Sequence, residues 1–135
     1  MLKIDWNEIY CSGISLLDTQ NYYFVEMLNL LFENQQNSRT HGLFGRIFHE
    51  TVNHLQEHFQ EEERFYKEYA LQDFDLHQEQ HQHFLETLNH MEPKALEEGT
   101  HDSLLLCEFL RDWTIFHILK VDRNTVFDIK NSISV

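Results

Sequence analysis

Apolar residues recur at spacings of three and four along four stretches of this chain, the period of a helix that buries one face. The first stripe runs Leu17, Asn21, Phe24, Leu28, Leu31. The second runs Phe44, Phe48, Thr51, Leu55, His58, Glu62, Phe65, Tyr69. The third runs Phe74, His77, His81, Phe84, Leu88, Met91, and the fourth Leu106, Leu110, Trp113, His117, Val121. No stretch sustains the alternation of a half-buried strand. Breaks are expected at Asn37–Gly42, Ala70–Asp73 and Glu92–Gly99, and connections this short favour antiparallel neighbours. The pattern predicts an all-α, up-down-up-down four-helix bundle over 17–135, preceded by an N-terminal arm over 1–16. At 135 residues the whole reads as one domain with a sizeable core.

Composition supports long helices. Four Gly and one Pro leave them largely uninterrupted, and eleven Phe, five Tyr and two Trp supply bulky packing. The net charge of −13 argues against a nucleic-acid partner, which needs a basic face, and against anionic membranes. Its simplest reading is solubility. No run approaches the roughly 18 apolar residues of a membrane span, and the opening MLKIDWNEIY lacks the apolar core of a signal peptide. Cys11 and Cys107 form no CxxC pair and suit a reducing compartment. A soluble cytoplasmic protein is expected.

The stripes also carry residues that a core does not ordinarily hold. His58 with Glu62 and His77 with His81 stand at i,i+4, on one face of a helix. His117 and Asp122 stand five apart, and a fourth slot reads Asp18-Thr19-Gln20-Asn21. One inward His is ordinarily a hydrogen-bonded core residue. Four on three helices, with an inward Glu and few stripe hydroxyls to pair them, are costly to bury without a shared partner. A metal ion is the simplest partner.

The absence of paired Cys excludes a Cys-rich zinc site, and imidazoles with carboxylates suit iron, manganese or zinc. Six inward ligands exceed the need of one tetrahedral ion and favour two ions, which Glu62 and Asp122 could bridge. Five residues turn a regular helix about 140° beyond a full circle, so a π-type turn is expected between His117 and Asp122. His41, His49, His83, His90 and His101 fall mostly off the stripes and read as solvated.

Over nearly the whole chain these residues resemble the hemerythrins and bacterial hemerythrin-like domains. Trp6, Gly13-Ile14 and Leu17-Asp18-Thr19-Gln20 are similar to the family's opening segment and its D-x-Q-H motif. His58-Phe59-Gln60-Glu61-Glu62 matches H-F-x-x-E, and His77-Gln78-Glu79-Gln80-His81 matches H-x-x-x-H. Trp113, His117, Ile118 and Asp122 match W-x-x-x-H-I-x-x-x-D. The resemblance implies two iron ions, bridged by an oxo or hydroxo group and by Glu62 and Asp122, with O2 as reversible ligand. His77, His81 and His117 would hold one iron. His58 and, normally, a further His would hold the other. The implied role is O2 storage, delivery or sensing, not catalysis.

Two departures stand out. Asn21 occupies the position of the family's first His, so the second iron is expected to bind loosely, with Asn21 a weak or water-mediated ligand. His54, one turn before His58, is either a substitute ligand or a flanking surface residue. Thr114 stands where an apolar residue is usual near the O2 pocket, and a hydroxyl there would admit water. The alternative is a degenerate domain with one tight iron at His77, His81 and His117, sensing metal, redox state or NO without reversible O2 binding. An oxidase or peroxidase ranks third, since the sequence suggests no substrate pocket or dedicated acid–base pair.

Overall fold

Each stripe becomes one helix. The computed structural model describes residues 2–36, 42–68, 74–95, 99–117, 122 and 126, with the backbone alone at 92–95. Helix α1 spans Ser15–Glu33, α2 Leu43–Glu68, α3 Phe74–Ala95 and α4 His101–Phe116. α1 packs on α2, α2 on α3, α3 on α4, and α4 back on α1. This closed cycle is the expected all-α, up-down-up-down four-helix bundle, and no strand occurs among the described residues.

The buried faces follow the stripes with a few shifts. α1 begins at Ser15, two residues inside the expected arm. On α2 the stripe passes to Tyr66, which is fully buried, and leaves Phe65 half-buried. The phenol of Tyr66 finds a buried polar partner in Asp122, which Phe65 has no hydroxyl to use. α3 continues past Glu92 to Ala95. Its last stripe residue is Met91, but the end of burial does not fix where backbone hydrogen bonding stops. Tyr69, Val121 and His41 lie outside the described residues, as do most of the two expected breaks at Asn37–Gly42 and Ala70–Asp73.

The N-terminal arm is fastened by side chains of α1. Asn29 accepts from the Ile4 N–H at 2.8 Å and donates to the Ile4 carbonyl at 2.9 Å. Asp18 accepts from the Ser12 N–H, the Ser12 hydroxyl and the Gly13 N–H at 2.7–3.0 Å. Gly13 has φ +88°, a region that glycine enters without penalty. Ile4 and Tyr10 are thereby buried in the core, and Trp6 stacks on Tyr10 with centroids 5.3 Å apart.

The interior has three layers. A large apolar cluster holds Phe24, Leu28, Phe44, Phe48, Leu55, Phe59, Phe84, Leu88, Leu106 and Leu110, among others. A smaller one joins Leu17, Tyr66 and Val126. Between them along each helix lie the buried polar residues: Asn21 on α1, His58 and Glu62 on α2, His77 and His81 on α3, and Thr114 on α4. His117 and Asp122 follow just beyond α4.

Replacing Asn29 by Leu should leave the buried N–H and C=O of Ile4 unpaired. Two lost bonds of this kind predict a destabilisation of about 2–4 kcal/mol, measurable by urea denaturation. An unchanged midpoint would mean that the arm does not hang on Asn29.

Candidate metal centre

Regular helix geometry brings the site together. His58, Glu62 and Tyr66 follow one another at steps of four on α2, and His77 and His81 do so on α3, so each set shares a face. His58, Glu62, His77, His81, His117 and Asp122 are each 5 % exposed or less. His117 and Asp122 both have π-helical backbone, but the turn expected between them, at 118–121, is not among the described residues.

Glu62 is the hub. Its Oε1 lies 2.7 Å from His77 Nε2, 3.2 Å from His81 Nε2 and 3.5 Å from His117 Nε2. Its Oε2 faces the other way, 3.3 Å from His58 Nε2, without the alignment of a hydrogen bond. The two oxygens of one carboxylate thus address two different groups of imidazoles. Asp122 Oδ1 stands 3.1 Å from His117 Nε2 and 3.8 Å from His77 Nε2, while its buried Oδ2 takes no hydrogen bond. His77 and His117 have ring centroids 5.2 Å apart.

All four imidazoles make these approaches through Nε2, and an aromatic ring fixes each one. Phe59 stacks on His81 at 3.8 Å, Trp113 on His117 at 4.4 Å, and Phe24 lies parallel to His58 at 6.0 Å. Tyr66 meets His77 edge-on at 4.7 Å, and its hydroxyl reaches Asp122 Oδ1 at 3.5 Å. Tyr66 was not among the sequence candidates, although its step of four from Glu62 carries the signal. Such rings shed water and limit imidazole rotation, as supporting residues around metal ligands do.

The remaining candidates divide. Asn21 is buried at 3 % exposure with an unpartnered Oδ1. It sits one turn before Phe24, the ring beside His58, but no hydrogen bond joins it to the six among the described residues. His54 is half-buried on the flank of α2 and does not join the cluster. Thr114 is buried. Asp18, part of the fourth slot, fastens the arm. His49, His83, His90 and His101 are exposed as expected.

The electrostatics are those of charges sharing a dry interior. Burial pushes the Glu62 carboxyl up, but the close imidazoles of His117, His58, His77 and His81 hold it well below the usual carboxylate range. Burial and the nearby Glu62 charge raise Asp122, with His117 and His77 opposing. Burial favours neutral His117, yet Asp122 and Glu62 lift it to about 10. Burial likewise opposes charge on His81, and bonds to Glu62 and Glu63 reverse this.

These residues fit a metal ion. One donor atom each from Glu62, His77, His81 and His117 lies within 4.8 Å of the other three. Donors about 2 Å from a common ion lie at most about 4 Å apart, so a small contraction suffices. His81 and His117 point Nε2 atoms at each other across 3.2 Å, an arrangement that repels if both are protonated and that a shared cation resolves.

Residues 12–126 match the family model of the Hemerythrin HHE cation binding domain. The chain belongs to the hemerythrin family. It is 26% identical over 134 residues to a Bacteriohemerythrin of Pseudomonas paraeruginosa, covering 99% of this chain and 86% of that relative. It is 25% identical, with the same coverage, to Bacteriohemerythrins of two Pseudomonas aeruginosa strains. In this hemerythrin-family chain, no helix among the described residues is long and apolar enough to cross a membrane.

Two outcomes follow. Metal that binds only the folded state adds roughly 2.7 kcal/mol at a hundredfold excess over Kd. His77→Ala should lose this metal-dependent rise in melting temperature together with the bound metal, and retention of both would remove His77 from the ligands. Metal uptake should also release protons, because a ligand must be deprotonated to bind. At pH 8 an ordinary His is already neutral, whereas His117 stays protonated up to about 10. Indicator-dye titration at pH 8 should therefore record release, which fades above pH 10; no release at pH 8 would mean that His117 carries no such proton.

Proposed function

We propose that this chain is a single hemerythrin-like domain that holds two iron ions and binds O2, for storage, delivery or sensing, in the cytoplasm. The observation that carries this reading is Glu62, whose two oxygens face His77, His81 and His117 on one side and His58 on the other. That is the posture of a carboxylate bridging two ions. The iron pair would supply the electrons through which O2 is held and released.

His77, His81 and His117 would hold one iron and His58 the second, with Glu62 and Asp122 spanning both. Phe24, Phe59 and Trp113 would keep bulk water from the ligand side chains. The buried Asn21 amide offers a neutral, weak oxygen donor, so the second iron would be held less tightly. The reading is of a binding protein for O2 or another small ligand rather than an enzyme, with no nucleic-acid or membrane partner.

A second reading also has support. Glu62, His77, His81 and His117 gather as a four-donor group without His58, which favours one tight metal and a metal, redox or NO sensor.

Iron analysis on protein purified without added metal separates the two. Nearly two irons per chain, with near-ultraviolet absorption that changes reversibly on deoxygenation, is expected from the first reading. One iron and no reversible change would establish the second. Asn21→His should retain the second iron more tightly and autoxidise more slowly. Equal iron content and equal autoxidation would count against a weakened site, and loss of iron in His54→Ala would make His54 the substitute ligand.

A further inference from the structure

Tyr66 is a phenol standing where a phenyl ring would pack as well. It follows Glu62 by one helical turn on α2 and is 0 % exposed. Its ring lies in the smaller apolar cluster with Leu17 and Val126 and meets His77 edge-on at 4.7 Å. Phenylalanine would keep those contacts without burying a hydroxyl, which is costly to bury unless it is bonded. Among the described residues the hydroxyl's partner is Asp122 Oδ1, at 3.5 Å.

That bond is long because two imidazoles face the same oxygen. His117 Nε2 lies 3.1 Å from Asp122 Oδ1 and His77 Nε2 lies 3.8 Å from it. Both imidazoles are metal ligands in the reading above. A ligating Nε2 carries no proton, so neither could then donate to Asp122. Tyr66 is the donor left to this carboxylate among the described groups that face it. The phenol has a proton to give, and a phenyl ring has none.

We propose that the Tyr66 hydroxyl donates a hydrogen bond to Asp122 while Asp122 holds iron, and so biases the centre toward its reduced, O2-binding state. The inference rests on iron binding at Asp122, which is part of the two-iron reading above. A hydrogen bond draws negative charge away from a carboxylate. A ferric ion loses more than a ferrous ion when its anionic donor is weakened, because its own charge is larger. Partners of metal ligands tune the metal in this way, through the ligand and without touching the metal. Tyr66 is therefore a positioning residue that acts through Asp122.

The test is a redox titration of iron-loaded full-length protein with sodium dithionite, followed by visible absorption. Tyr66→Phe keeps the ring and loses the hydroxyl. It should move the balance of oxidised and reduced centres about tenfold toward the oxidised form, a fall in midpoint potential of about 59 mV for a one-electron step. Incorporation of 3-fluorotyrosine at position 66, a stronger donor of nearly the same shape, should raise the midpoint. A role in packing alone would alter melting temperature and leave both midpoints at the wild-type value. A Tyr66→Phe protein that holds iron with the wild-type midpoint overturns the proposal and leaves the iron reading standing. If Tyr66→Phe fails to fold or to load iron, the fluorinated protein decides, and an unchanged or lower midpoint there overturns the proposal. One iron per chain in the wild type overturns the two-iron reading alone, with the midpoint shift still deciding the role of Tyr66. A wild type that takes up no iron overturns both.

Discussion

Six ionisable side chains are buried in one layer of this bundle, and their desolvation is the constraint around which the rest is arranged. Imidazole and carboxylate groups removed from water need partners of opposite charge or a metal. Here they converge on Glu62, within 2.7–3.5 Å of all four imidazoles. An apolar cluster lies on each side of the layer. Those clusters supply the folding energy that such a layer does not, since a buried ionic group is weak evidence of stability.

The scaffold meets this constraint by devices that are individually ordinary. Steps of four on α2 and α3 stack the donors on single faces. His117 and Asp122 both reach the layer, with Asp122 Oδ1 3.1 Å from His117 Nε2. Aromatic rings flank each imidazole, so orientation and dryness come from the same contacts. Asn29 and Asp18 fasten the arm, burying Ile4 and Tyr10 and extending the core beyond the four helices.

Membership of the hemerythrin family explains why the donors are there. It does not explain the polar residues at Asn21 and Thr114. Both sit in the same layer and both hold an unmet polar atom in the dry interior.

The chain's own pattern determined the four helices, their inward faces and the inward placement of His58, Glu62, His77, His81 and His117, because a period of 3.6 is a local property that each segment carries by itself. Asn21 could be placed inward for the same reason, whereas Asp122 stands off that period. The tertiary structure alone decided which atoms meet. His77 and Glu62 are 15 residues apart, and His81 and His117 are 36 apart, separations at which periodicity carries no distance. That is why the two-sided posture of Glu62, the arm-fastening role of Asp18 and the unpartnered hydroxyl of Thr114 were not legible beforehand. Each depends on where neighbouring helices leave room or a hydrogen-bonding partner, and that is settled only when the helices pack.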